Sequence, residues 1–140
     1  MNSKLTNRNL GKVVEFIFVC QASMRGFTVS MPITDTKYDA IIERDCRLYK
    51  VQIRKLTRFQ RNCFRASVYR IISRQFKGVR KRYSYSPSKK DFDIFAAYLE
   101  DESCFYLIPF EEIKTKSGIV VGKANVGRYS IYKNAWHLIG

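Results

Sequence analysis

The sequence predicts an α/β domain carrying a basic β-hairpin arm, and three observations lead there. The 140 residues suit one domain, and 46% of them are hydrophobic, enough for a packed core rather than a disordered basic tail. Hydrophobic spacing changes from three- and four-residue intervals near the start to alternation afterwards, which reads as one helix followed by strands. The charge is concentrated: residues 54–90 hold 13 of the 26 Lys and Arg and none of the 12 Asp and Glu.

Each element follows from its local pattern. Residues 9–25 read as a helix, because Leu10, Val13, Val14, Ile17 and Phe18 share one face, Asn7 or Asn9 can cap its start, and Gly26 suits a left-handed stop. Residues 27–30 form a short strand that Met31-Pro32 ends. Strands at 38–43 and 48–54 are joined by a tight turn at 44–46. In the second of these, Tyr49, Val51 and Ile53 alternate with Lys50, Gln52 and Arg54, which puts an apolar row on the core and a polar row on the opposite face. Further on, Phe64, Ala66 and Val68 alternate with Arg65, Ser67 and Tyr69, and Tyr83 and Tyr85 alternate with Arg82, Ser84 and Ser86. This pattern reads as a hairpin turning near Lys77-Gly78, with a helix over residues 61–76 as the alternative. Residues 92–99 and 104–109 are aromatic-rich strands around an acidic turn, Glu100-Asp101-Glu102, that reads as solvated surface. A weaker strand covers 119–121, and the end around Ala135-Trp136 reads as a helical cap.

A net charge of +14 on so small a chain points to a polyanionic partner, most simply nucleic acid. Crowded like charges repel, so a solvated face normally mixes signs; residues 54–90 do not, and they read as the nucleic-acid surface. Within them Arg58, Arg61, Arg65, Arg70, Arg74, Lys77, Arg80, Lys81 and Arg82 are the candidate DNA contacts, and a two-stranded ribbon of that kind fits a major groove. Tyr69, Tyr83 and Tyr85 suit base stacking or packing on the sheet face equally. Cys20, Cys46, Cys63 and Cys104 form no CxxC pair, and His137 is the single histidine, which argues against a zinc finger and for reduced thiols. His137 itself reads as structural or exposed. No apolar run approaches the roughly 20 residues of a membrane span, and Glu15 interrupts the apolar stretch that follows Lys4, Arg8 and Lys12. The expectation is a soluble intracellular protein, cytoplasmic or organellar, with no membrane partner.

Polar residues inside the first half suggest a site. Glu15 interrupts the apolar part of the helix, Asp39 begins a strand, and Gln52 and Arg54 share one face of its hairpin partner. A hairpin lays the start of one strand beside the end of the other, so Asp39 falls near Gln52 and Arg54. Two carboxylates, an amide oxygen and a backbone carbonyl make an all-oxygen donor set suited to Mg²⁺, which can activate water and neutralise a phosphate. The alternative is an ordinary ion pair between Glu15 and Arg54.

The same residues carry a resemblance. Gly11-Lys12-Val13-Val14-Glu15, then Arg25-Gly26-Phe27-Thr28-Val29-Ser30-Met31-Pro32, Tyr38-Asp39 and Val51-Gln52-Ile53-Arg54 resemble the pattern of the PD-(D/E)xK nucleases. The branch most similar is that of group I intron-encoded homing endonucleases, which carries Gln in place of Glu, and whose later strands resemble residues 92–98 and 105–109. The likeness covers roughly residues 9–110. It implies a restriction-endonuclease-like core, a mixed β-sheet flanked by helices, and Mg²⁺-dependent cleavage of double-stranded DNA. By position Asp39 would be the metal-binding carboxylate, Gln52 and the Ile53 carbonyl would share the metal, and Glu15 would reach it through water. The pattern expects Lys where this chain has Arg54, with Lys55 one residue beyond. Arginine stays protonated and cannot act as a general base, but it can hold a phosphate bidentately. So Arg54 takes a phosphate-stabilising role, Lys55 substitutes through a bulge, or the protein binds without cutting. A site-specific endonuclease assembled as a dimer or tetramer is the leading expectation. A non-cutting DNA-binding protein, a junction nuclease and an RNA-binding protein follow in that order.

Overall fold

The first helix, α1 (Asn7–Met24), starts where Thr6 accepts a hydrogen bond from the Asn9 N–H, so the cap is Thr6 rather than the expected Asn7 or Asn9. It stops as expected at Gly26, whose φ of +87° lets Gly26 N donate to Ser23 O and Phe27 N to Ala22 O. The structure, a computed structural model, describes residues 6–113, 118–122 and 127–139, and of residues 70–72 the backbone. No helix of the described residues is long and apolar enough to cross a membrane.

Strands β1 (Thr28–Ser30), β2 (Ala40–Arg44), β3 (Arg47–Lys55), β8 (Ile94–Leu99) and β9 (Cys104–Pro109) form one sheet in the order β1-β2-β3-β8-β9. Neighbours are antiparallel except β3 and β8, which run parallel, so the sheet is mixed. The β2–β3 turn places Asp45 and Cys46 at φ +52° and +63°, the paired left-handed geometry that matches strand twist. Each strand sends alternate side chains to opposite faces. Ala40, Ile42, Val51, Ile53, Ile94, Ala96, Tyr98, Phe105 and Leu107 face α1, where Val14, Phe18 and Ala22 pack on them with Trp136 and Ile139. Phe18, Phe105 and Trp136 stack around one point of that layer.

The second face is covered by strands rather than by a further helix. β4 (Thr57–Gln60), β5 (Cys63–Ser67) and β10 (Gly118–Gly122) form a three-stranded antiparallel sheet, order β10-β5-β4. Phe64, Ala66, Ile119 and Val121 from it join Phe95, Ala97, Tyr106 and Ile108 in a second core layer. Gly118 lets β10 close on β5, since a Cβ there would lie 2.6 Å from the Ala66 carbonyl oxygen.

Residues 61–76 are therefore strand and turn, not helix. The apolar alternation at Phe64, Ala66 and Val68 serves this second sheet rather than the hairpin, because its buried partners are Phe95 and Ala97. The hairpin is narrower: β6 (Arg70–Phe76) pairs with β7 (Val79–Tyr85) around Lys77 and Gly78, both at positive φ. Two 3-10 turns, Ser130–Tyr132 and Trp136–Leu138, stand where a helical cap was expected around Ala135-Trp136.

Candidate active site

Asp39 stands one residue before β2, and its backbone N–H donates to Val51 O at 2.8 Å, which fixes it against β3. Its carboxylate Oδ2 then accepts from Gln52 Nε2 at 2.7 Å and from the Ile53 N–H at 2.8 Å. The Arg54 guanidinium lies 3.5 Å from the same oxygen and donates to the Ile53 carbonyl at 3.0 Å. The expected trio of Asp39, Gln52 and Arg54 thus meets at one point. Gln52 belongs to the polar row of β3, yet only 2% of it is exposed, since the second core layer covers that face. Burying an amide is unfavourable without partners, and Asp39 supplies one.

Glu15 and Asp39 line one open cleft of about 190 Å³, with Lys12, Asp35, Thr36 and Tyr38 around it. Glu15 pairs with Lys12 at 3.1 Å, and Arg54 pairs with Asp39, so the direct Glu15–Arg54 bridge is replaced by two others. Lys55 is not brought to the site. β3 stays in regular register with β8 through the Lys55–Tyr98 pair, without a bulge, and Lys55 Nζ bridges Glu100 at 2.7 Å. Spacing gave no sign of Asp35, because the loop before Asp39 has no periodicity to read, whereas Lys12 stands three residues before Glu15 on α1.

The available donors are hard oxygens: the Asp39 and Glu15 carboxylates line the cleft, and the Gln52 amide and the Ile53 carbonyl belong to the β3 residues bonded to Asp39. That class fits a divalent ion of the Mg²⁺ type. Among the described residues no three His, Cys, Asp or Glu side chains gather as a metal cage, so such an ion would rest on Asp39 with amide and backbone oxygens.

The basic side chains fall on two surfaces. Arg58, Arg61 and Arg65 are exposed on β4, β5 and their turn, with Arg65 standing 5.2 Å over the Phe59 ring. Arg74, Lys77, Arg80, Lys81 and Arg82 are exposed on the hairpin. The Arg70 side chain lies outside the described residues. Register puts Arg74 directly across from Lys81, a like-charge pair that a bound anion relieves. Tyr83 is half-exposed on the hairpin, while Tyr69 and Tyr85 are partly buried at its root. The acidic turn is more than solvated surface: Glu100 holds Lys55, Asp101 lies 3.3 Å from Arg58, and Glu102 pairs with Lys133. Those contacts withdraw Lys55 and Arg58 from the free cations. His137 is exposed in the last 3-10 turn. The four cysteines are separate thiols, and burial pushes that of Cys104 up.

A carboxylate, an amide and a basic side chain placed so on paired strands is the pattern of one nuclease family, and that family's sequence profile, PD-(D/E)XK endonuclease, matches residues 5–139. The chain belongs to the PD-(D/E)XK endonuclease family. It is similar to Protein 5.3 of Escherichia phage T7, with 29% identity over 118 residues that make up 84% of this chain and 92% of that one. Its fold matches that of the bacterial homing endonuclease I-Ssp6803I with a TM-score of 0.79 and 25% identity, covering 96% of this chain and 93% of the other. Nuclease membership makes nucleic acid the natural partner of the basic surfaces.

Proposed function

We propose that this PD-(D/E)XK protein is a site-specific, Mg²⁺-dependent endonuclease of double-stranded DNA, of the homing type, acting as a dimer or tetramer so that one site serves each strand. The observation that carries the reading is the convergence of Asp39, Gln52 and Arg54 at one carboxylate oxygen, with Glu15 on the same cleft. Asp39 and Gln52, with the Ile53 carbonyl, would hold the cation, and Glu15 would hold it through water. When bound, the ion supplies an activated water and neutralises charge on the scissile phosphate.

The chain's own groups do the rest. Gln52 Nε2 and the Ile53 N–H keep Asp39 aimed along one direction. Arg54, one-third exposed, is long enough to turn from Ile53 O to a phosphate oxygen and to stabilise charge developing there. It moves no proton, because a guanidinium stays charged. The hairpin cations Arg74, Lys77, Arg80, Lys81 and Arg82 bind the duplex backbone and hold it beside the cleft, with Arg61 and Arg65 extending the contact while Arg58 stays paired with Asp101.

One observation favours a second reading. Arg54 touches both oxygen-bearing groups that a cation would need, Asp39 and Ile53 O, which suits a DNA-binding protein that no longer cuts. Cleavage of a plasmid library in Mg²⁺ or Mn²⁺, run beside Asp39→Ala, separates the two. Wild-type cleavage that Asp39→Ala abolishes supports the endonuclease. Duplex binding with no cleavage in either metal sinks it and leaves the binding protein.

A further inference from the structure

Asp91 is, with Gln52, one of two buried polar or charged side chains among the described residues, and it lies outside the site. A buried carboxylate requires partners, and it has them from three segments. Tyr85 at the end of β7 donates its hydroxyl to Asp91 Oδ2 at 3.1 Å, and the Ser88 N–H donates to the same oxygen at 2.8 Å. Lys37, two residues before Asp39, places Nζ 3.6 Å from Oδ1. Lys37 also donates to the Tyr85 hydroxyl at 2.8 Å and stands 4.3 Å over the Tyr85 ring. Burial opposes the charge on Asp91, but Ser88, Tyr85 and Lys37 outweigh it and hold its pKa below the ordinary carboxylate value.

The return segment behind the hairpin is pinned as well. Lys50 Nζ donates to the Lys90 carbonyl, the Lys50 N–H donates to Asp93 at 2.8 Å, and Lys89 pairs with Glu111. In contrast, among the described residues β6 and β7 pair only with each other and join neither of the other sheets. The aim of the hairpin therefore depends on its root. Seven residues per strand reach roughly 24 Å at about 3.4 Å each, so a tilt of about 5° at the root moves the tip by about 2 Å.

We infer that Asp91 is a positioning residue: through Tyr85 and Lys37 it locks the basic hairpin in fixed register with the loop that carries Asp39. Duplex held by the hairpin is thereby set at one distance from the cleft, and binding at one end is felt at the other. The inference rests on the nucleic-acid reading of the hairpin.

The test uses Tyr85→Phe, which keeps the ring and removes only the hydroxyl link, beside Asp91→Asn. Amide exchange is followed with and without a duplex that the wild type binds. In the wild type the duplex slows exchange in β6, β7 and residues 33–39 together. In both variants the hairpin protection and the Kd, within about twofold, persist, the protection at 33–39 is lost, and kcat for cleavage falls about tenfold at nearly constant KM. Persistent protection at 33–39 in both variants overturns the inference, as does an affinity loss without a change in kcat. Duplex that protects no part of the hairpin removes the nucleic-acid reading and the inference with it. Coupled protection without cleavage in Mg²⁺ or Mn²⁺ removes only the catalytic reading, and the positioning role stands.

Discussion

Replacing Arg54 by methionine tests whether the guanidinium and a divalent cation compete for the same oxygens. Arg54 Nη1 lies 3.5 Å from Asp39 Oδ2 and 3.0 Å from Ile53 O, and the side chain is 33% exposed. An unscreened pair at that separation is worth about 4–5 kcal/mol at an effective dielectric constant near 20. Exposure, screening and side-chain entropy reduce this to about 1 kcal/mol, and the charged hydrogen bond to the carbonyl brings the total to about 1.5 kcal/mol. A cation entering the site displaces that interaction, so Arg54→Met should bind Mn²⁺ about tenfold more tightly than the wild type. Titration followed by electron paramagnetic resonance at fixed ionic strength measures it directly. Lys55→Met removes the same charge one residue away, on a side chain committed to Glu100, and controls for the long-range field. Asp39→Ala should abolish the gain. Equal or weaker Mn²⁺ binding in Arg54→Met, or the same gain in Lys55→Met, refutes the competition.

Three further outcomes are expected. Duplex affinity should fall steeply with salt, with log K losing about 0.9 per neutralised phosphate, so the triple change Arg80→Ala, Lys81→Ala, Arg82→Ala should flatten the slope by about 2–3 units of log K per log salt; an unchanged slope would remove the hairpin from the interface. Asp91 has its folded pKa depressed, so its contribution is present above the unfolded value of about 3.9 and is lost as pH falls through the folded one. The stability gap between wild type and Asp91→Asn in urea should then stay constant from pH 7 to about 5 and close below about pH 4. Cys46 holds a φ of +63° without being glycine. Cys46→Gly relieves about 1–2 kcal/mol of left-handed crowding and gives back about 0.5–1 kcal/mol of unfolded-chain entropy, so Tm should rise by about 2–4 °C in calorimetry.

Local geometry repeats with the sequence, and whatever depends on it was legible. The stop of α1 at Gly26, the inward row of Val51 and Ile53, the turn at Lys77-Gly78 and the approach of Asp39 to Gln52 and Arg54 all follow from periods and turn chemistry within a short stretch of chain. The family pattern was legible for the same reason, being carried by those elements. What packs on what is not local. The polar row of β3 has the spacing of a solvent face, and only the layer of β4, β5 and β10 above it turns Gln52 into a buried partner of Asp39. The alternation at Phe64, Ala66 and Val68 is equally good strand in either sheet, and burial against Phe95 and Ala97 decided which. Lys55 lost its place at the site because β3 and β8 keep an unbroken register and Glu100 waits on the other side. Lys37 stands 48 residues before Tyr85, and with Asp91 they mark no period, so only tertiary structure could join the hairpin's root to the loop of Asp39.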